Sequence, residues 1–310
     1  MTISIVSIIS LVLTILLIVT LVILVIRPAP IKQLIRSLYT DIAYDADSNA
    51  TITDTYTLYR NTSQITTLPK MRREVNVTDP PDTTITNKAL IVVFIGGSML
   101  TCNINQIYGV CNLLYEKVAF THDIVIVKYP VRFKYTVHDS MVAINNTLQQ
   151  FVHYTNVHAL GFSIGTLLAG AFQQKERNKI AAQTMDLPQI GMQFKSIIGV
   201  CGVYENIFST SLLTHLFSFY IMKNTPGIQF YTCYNLELPM FIISSMSDFL
   251  LSQTRKFVHE AIAFSNDQSE YIIYKSTSLP HSFVQYINLD EAKEAIQKIA
   301  NFLRKIQGNP

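Results

Sequence analysis

From Ala89 onward the chain repeats one pattern: a short unbroken run of β-branched and other apolar residues, then a longer segment whose apolar positions recur at i, i+3 and i+4. The runs are Ala89–Ile95, Asp123–Tyr129, Val157–Leu160, Ser196–Cys201, Pro239–Ser245 and Glu270–Lys275. A strand with one wet face alternates apolar and polar residues, whereas a strand covered on both faces reads as a continuous apolar run. Helical spacing in Gln106–Phe120, Val137–Tyr154, Ile164–Lys175, Leu251–Phe264 and Leu289–Ile306 supplies the covering layers. The last of these opens on Asp290 and Glu291, where the helix dipole favours acids. The pattern predicts an α/β fold in which residues 89–310 form a mainly parallel sheet covered by helices on both faces.

What precedes this domain is of two kinds. Between about Tyr39 and Lys88 the chain is polar and rich in Thr, Asp and Asn, with weak alternation in Ile52–Arg60 and Arg72–Val77. Residues 28–88 are therefore expected to form a stalk that merges into one or two edge strands. Thr2 to Ile26, by contrast, carries no charge and consists almost entirely of Ile, Leu and Val with a few Ser and Thr. This run accounts for most of a mean hydropathy of +0.27, high for a soluble chain that is 15% charged. As a helix it would span roughly 35 Å, enough to cross the ~30 Å hydrocarbon core of a bilayer.

A cleaved leader has a charged start, a shorter apolar stretch and a small-residue cleavage site. Here no Lys or Arg precedes the run, and Arg27-Pro28-Ala29-Pro30 follows it. The expectation is a retained signal-anchor, with residues 1–27 as a single transmembrane helix. Arg27, Lys32 and Arg36 on its C-terminal flank favour a cytoplasmic main domain. The N-x-S/T sequons at Asn49, Asn61, Asn76 and Asn145 would be used only on the other side, so the side of the membrane stays open.

Charge and cysteine content exclude other classes. A net charge of +3 with no basic stripe gives no nucleic-acid footprint. Cys102, Cys111, Cys201 and Cys233 have neither C-x-x-C spacing nor a histidine pattern beside them, so neither metal nor any other cofactor is implied. Two disulfides would be possible in an oxidising lumen, but the apolar flanks read as small core residues.

The sharpest local signal is Gly161-Phe162-Ser163-Ile164-Gly165, which follows the strand Val157–Leu160 and opens a helix. A tight strand-to-helix turn of this kind lifts a serine hydroxyl clear of the sheet, and the glycines are expected to give the backbone freedom for it. Ile164 then offers its N–H at a helix N-terminus, where an oxyanion is stabilised. A serine needs a base, and the base needs an acid to orient it. Asp248 follows the strand Pro239–Ser245, and His281 follows Glu270–Lys275 by a short loop. The order Ser, Asp, His, each at the carboxyl end of a strand, suits an open α/β sheet. His153 and His158 flank the nucleophile strand, while His122, His138, His215 and His259 fall on helices or helix ends and read as structural or surface residues. Glu205, after the strand Ser196–Cys201, is the competing acid. Gly96, Gly97 and Ser98, in Phe94-Ile95-Gly96-Gly97-Ser98, follow the strand before the first helix and can add backbone donors to an oxyanion hole with Ile164.

From about Ala89 to Arg304 these residues resemble the α/β-hydrolase superfamily, and within it the hormone-sensitive-lipase-like esterases, including membrane-anchored arylacetamide and steryl acetyl deacetylases. Phe94-Ile95-Gly96-Gly97-Ser98 stands where that family has H-G-G-G, Gly161-Phe162-Ser163-Ile164-Gly165 where it has G-D-S-A-G, Ser247-Asp248-Phe249-Leu250 where it has D-P-L, and His281-Ser282-Phe283 where it has H-G-F. Ile126-Val127-Lys128-Tyr129-Pro130 also fits. Ile95, Ser98, Phe162 and Thr166 depart from the pattern without removing Ser163, Asp248 or His281.

The resemblance implies a carboxylesterase, lipase-like or deacetylase enzyme with an acyl-enzyme intermediate. Large apolar residues at about 203–238, among them Phe208, Leu216 and Phe219, are expected to form a cap insertion over the site. With the membrane anchor, this points to lipophilic esters as substrates. The same triad would serve amide or thioester hydrolysis, and a non-catalytic membrane protein could keep the fold as an interaction surface.

Overall fold

A computed structural model describes residues 45–46, 50–60, 88–97, 104–130, 135–205, 222–234, 236–261 and 268–308. Tyr44–Pro310 forms one compact unit. The expected anchor Thr2–Ile26, the strand at Arg72–Val77, Ser98, Cys102, His215 and most of the expected cap lie outside the described residues. Among those residues no helix is long and apolar enough to cross a membrane.

The strands are β1 (Ala50–Ile52), β2 (Tyr56–Tyr59), β3 (Ala89–Phe94), β4 (His122–Val127), β5 (Val157–Phe162), β6 (Phe194–Val200), β7 (Met240–Ser245) and β8 (Glu270–Tyr274). The helices are α1 (Asn105–Val118), α2 (Val137–Leu148), α3 (Ile164–Arg177), α4 (Lys179–Thr184), α5 (Leu251–Ala261) and α6 (Asp290–Ile306). All eight strands form one sheet in the order β1-β2-β4-β3-β5-β6-β7-β8. The first two enter antiparallel, with Ala50 opposite Tyr59 and Tyr56 opposite Val127; β4 through β8 and β3 run parallel. The segment Ile52–Arg60, expected as an edge strand, holds the end of β1, a turn and β2, so the edge of the sheet is an antiparallel hairpin rather than one alternating strand. Its turn is held by Thr53, whose hydroxyl accepts the Tyr56 N–H at 3.0 Å.

Every residue of β3, β4, β5 and β7 is buried, as unbroken apolar runs require. Alternate residues feed two cores. Ile91, Val93, Ile126, Leu160, Ile198 and Ile243 pack with Leu114 of α1 and with Ile296 and Leu303 of α6. Val92, Phe94, Ala159 and Ile242 pack with Met141 of α2, Leu168 of α3 and Phe257 of α5. Because β3 lies between β4 and β5, strand order reverses at β3, so the carboxyl ends of β3 and β5 stand at the kind of switch point where open α/β sheets bind ligands.

Several local expectations change. His122 is the first residue of β4, paired opposite Ala89 and fully buried, and not at a helix end. The His122 ring lies 5.5 Å from that of His158 on β5. The helix expected over Val137–Tyr154 stops at Leu148 and closes with a 3-10 turn at Gln149–Phe151. Helix α4 adds to the five helices that periodicity predicts; Asn178 caps it, its Oδ1 accepting from the N–H groups of Ile180 and Ala181. The Asn145 sequon is not presented to solvent: the residue is buried and its Oδ1 accepts from Lys175 at 2.6 Å. Cys111, Cys201 and Cys233 are buried free thiols.

Candidate active site

Ser163 links the last residue of β5 to the first residue of α3 with φ 51° and ψ −121°. Such a conformation costs an L residue roughly 1–3 kcal/mol and persists only where neighbours over-determine it. Here the Ser163 N–H donates to the Val200 carbonyl at 3.0 Å, and its carbonyl accepts from Val203 at 3.0 Å and Thr166 at 3.1 Å. The end of β6 therefore pins both sides of the turn.

The two flanking glycines act differently from the expectation. Neither has positive φ; the strain is carried by Ser163 itself. They are needed for space. A Cβ on Gly165 would lie 2.2 Å from the Phe94 carbonyl oxygen, and one on Gly161 would lie 2.5 Å from the Thr166 backbone. Thr166, where the resembled family has glycine, fits because its neighbours are small: a Cβ on Gly202 would lie 2.7 Å from its Oγ1. Its hydroxyl donates to the Gly161 carbonyl at 3.0 Å.

The three polar residues singled out at strand ends meet at this turn. His281 Nε2 lies 2.9 Å from Ser163 Oγ, and His281 Nδ1 lies 3.0 Å from Asp248 Oδ1. An ionised carboxylate only accepts, so Nδ1 carries the hydrogen and Nε2 faces the serine as the acceptor. Asp248 also accepts from the Leu250 N–H at 2.9 Å and from the Ser244 hydroxyl at 3.3 Å. Burial alone would push its carboxyl up. The hydrogen bond and charge of His281, the Cys201 thiol and the Leu250 N–H outweigh burial and hold it below the usual carboxylate range. The loops bearing acid and base are joined directly where the Ser247 hydroxyl donates to the Leu279 carbonyl.

Glu205, the competing acid, is engaged elsewhere: it pairs with Lys256 at 3.3 Å and bridges to Thr232. The other described histidines sit apart from this chain of contacts. His158 is buried within β5 and bonded to Ser196 at 2.8 Å, while His259 is exposed on α5.

Gly96 packs against the nucleophile turn, where a Cβ would lie 3.0 Å from the Phe162 carbonyl oxygen and 3.3 Å from Ser163 Cβ. Gly97 adopts φ 112°, a conformation open to glycine. The Tyr129 hydroxyl donates to the Ile95 carbonyl and braces this turn. Periodicity gives no sign of this brace, because the hydroxyl reaches the Ile95 carbonyl only in the folded sheet. Ile164 begins α3, so its N–H has no acceptor within the helix.

Cys201 Sγ, an Asp248 oxygen and a His281 nitrogen lie within 4.8 Å of one another, the donor set among the described residues that could hold a metal ion. A cation there would have to displace the Asp248–His281 hydrogen bond. As it stands, the arrangement can pass a proton from a serine hydroxyl to an imidazole held and charge-balanced by a carboxylate.

No protein-family model matches the chain, and no curated protein matches it. Solved structures do. The chain is similar to an inhibited form of esterase B from Lactobacillus rhamnosis, at 13% identity and a TM-score of 0.66 over 90% of this chain and 94% of that one. It is similar to an esterase/lipase from an uncultured bacterium, at 14% identity and a TM-score of 0.62 over 89% and 91% of the two chains. An esterase of the bacterial hormone-sensitive lipase family matches at 13% identity and a TM-score of 0.61, over 88% and 90%. With the strand order above, these likenesses establish the α/β-hydrolase fold.

Proposed function

We propose that the protein is a membrane-anchored serine hydrolase of carboxylic esters. The observation that carries this reading is the contact chain from Ser163 Oγ through His281 to Asp248 at the carboxyl edge of the sheet. In the proposed reaction His281 Nε2 takes the hydroxyl proton as Ser163 Oγ attacks the ester carbonyl. The N–H groups of Ile164 and of the Gly96-Gly97 turn, with Ser98, receive the oxyanion, and Asp248 stabilises the imidazolium. The imidazolium then protonates the departing alcohol as the C–O bond breaks, leaving an acyl-serine. Water attacks that acyl group, His281 again taking the proton, and returns it to Ser163 as the acid leaves.

Two observations favour an ester with an apolar portion. Phe249 and Met246, beside the acid, are large apolar side chains left substantially exposed, and the Phe249 ring lies 4.4 Å from the His281 ring. Structural neighbours include an esterase B inhibited by a tributyrin phosphonate and an esterase soaked with p-nitrophenyl butyrate. Membrane attachment rests on the uncharged run Thr2–Ile26.

The test is hydrolysis of p-nitrophenyl acetate and butyrate by the full chain and by Ser163→Ala. Removal of a triad serine lowers kcat by on the order of 10⁶-fold, so turnover should fall to background. Undiminished hydrolysis by a folded Ser163→Ala protein would overturn the proposal.

A further inference from the structure

We propose that Phe249 determines which esters this site takes: its exposed ring is the wall against which the alcohol portion of the substrate rests, so the site selects esters of apolar, above all aromatic, alcohols and accepts those alcohols as acyl acceptors. The inference rests on the hydrolytic reading above and adds to it the side of the ester on which the apolar portion lies.

Single exposed apolar side chains are ordinary on a protein surface, and what sets Phe249 apart is its place. It directly follows the acid, it is 59% exposed, and its ring centroid lies 4.4 Å from that of His281 at an interplanar angle of 44°. The backbone holds it there. Asp248 and Leu250 on either side are buried, the Leu250 N–H donates to Asp248 Oδ1 at 2.9 Å, and the Leu251 N–H donates to the Asp248 carbonyl at 3.0 Å. With both neighbours turned inward, Phe249 is left on the outside of the turn. The ring is thus an apolar surface set in advance, and a substrate that covers it pays little for ordering the backbone beneath. The resembled D-P-L pattern has proline at this position, so the ring is this chain's own.

The reaction decides which part of an ester meets that ring. In the tetrahedral intermediate the reacting carbon carries Ser163 Oγ, the oxyanion, the alcohol oxygen and the acyl chain. Oγ lies 2.9 Å from His281 Nε2, and the alcohol oxygen must come within hydrogen-bond reach of the same nitrogen to receive its proton. The oxyanion turns to the N–H groups at the ends of β3 and β5, whereas Asp248, Phe249 and His281 follow β7 and β8 on the other side of the nucleophile strand. The acyl chain takes the remaining direction, away from the imidazole. The ring packed on the imidazole therefore flanks the alcohol portion. Attack of an alcohol on the acyl-serine is the reverse of acylation and uses the same subsite. The alcohol oxygen bonds to the acyl carbon, His281 Nε2 takes the alcohol proton, and that proton passes to Ser163 Oγ as the C–Oγ bond breaks.

The experiment measures kcat/KM, by titration of the acid released, for wild type, Phe249→Ala and Phe249→Leu on two series. One varies the alcohol (methyl, butyl and benzyl butyrate), and the other varies the acyl chain (methyl acetate, butyrate and hexanoate). For every ester kcat/KM covers only the steps up to alcohol release, and a ratio within a series cancels any loss common to all esters. Loss of an apolar contact of this size corresponds to about tenfold. The benzyl-to-methyl ratio is expected to fall about tenfold in Phe249→Ala and less in Phe249→Leu, while the hexanoate-to-acetate ratio moves by less than about twofold. In the second arm, acyl-enzyme formed from p-nitrophenyl butyrate is offered equal concentrations of benzyl alcohol and methanol. Wild type should favour benzyl butyrate as the transfer product, and Phe249→Ala should lower that preference by the same factor as in hydrolysis.

An unchanged benzyl-to-methyl ratio in Phe249→Ala, an equal loss on every ester, or a loss that falls on the acyl series instead would each overturn the proposal. So would a transfer preference that Phe249→Ala leaves intact. If Ser163→Ala abolishes hydrolysis while the ratios ignore Phe249, the hydrolytic reading survives and the role of Phe249 does not. If Ser163→Ala hydrolyses every ester undiminished, the hydrolytic reading itself falls.

Discussion

Ser163 occupies a backbone conformation that its own side chain opposes, and the cost is met by atoms around it. Gly165 brings α3 against the Phe94 and Ile95 carbonyls, where a Cβ would sit 2.2 Å and 2.8 Å from the two oxygens. Those partners are backbone atoms of a buried strand and its turn, so they cannot swing aside as a flexible side chain could. Gly165→Ala is therefore expected to destabilise by at least about 1–3 kcal/mol, the usual cost of overpacking, and to lower turnover by moving Ser163 off His281. Urea unfolding and p-nitrophenyl butyrate hydrolysis check both, and a stable, fully active Gly165→Ala would refute the close-packing account. At this scale the candidate triad was legible because each of its residues stands beside a strand end that the apolar runs define. The Tyr129 brace was not, since its hydroxyl meets the Ile95 carbonyl only when the turn after β3 packs against the end of β4. The glycine roles differ from the expectation for a related reason: G-x-S-x-G fixes which positions are small, and only the packing of α3 on β3 tells space from flexibility.

The strands and most helices followed from periodicity, and the exceptions lie where an end is set by tertiary contacts. β4 begins at His122 because Ala89 pairs with it, and the ring is then enclosed with His158. His158 Nδ1 bonds to Ser196 and His122 Nδ1 to Thr121, each at 2.8 Å, while both Nε2 atoms are buried without a partner. Burial, with Arg304 nearby, lowers His122 to about 4; burial, with His122 and Lys195, lowers His158 to about 3. These two residues make the amino end of the sheet acid-sensitive. Below the ordinary histidine value of about 6.5 the unfolded chain takes up protons that the folded chain refuses, so stability falls with pH at roughly 1.4 kcal/mol per unit for each histidine. The loss runs from about pH 6.5 down to about 4 for His122 and about 3 for His158. Urea unfolding at pH 7 and pH 5 should show a clear drop in the wild type and a smaller one in His122→Leu. Equal drops in the two proteins would show that the pair is not the source.

At the scale of the whole molecule, the proposed chemistry and the proposed membrane attachment fall on different stretches of chain. The compact unit Tyr44–Pro310 holds both core clusters, whose buried members among the described residues begin at Leu58 and Tyr59, with Ala46 and Ala50 packed at the margin. The contacts among Ser163, Asp248 and His281 are all internal to the unit. A run of that length and apolarity has no polar face to present to water, which is why a bilayer is its natural solvent. The full chain is thus expected to stay with membranes through alkaline carbonate extraction, whereas a form beginning at residue 28 should be released. The shorter form should keep its kcat toward a short, water-soluble ester within about twofold, because Ser163, Asp248 and His281 and the contacts between them all lie within Tyr44–Pro310. Release of the intact full chain by carbonate would refute the anchor, and a large loss of kcat in the shorter form would show that the first residues also serve the site. Hydrolysis of esters dispersed in vesicles separates the two roles further, since only the tethered form should gain from substrate concentrated in the same membrane.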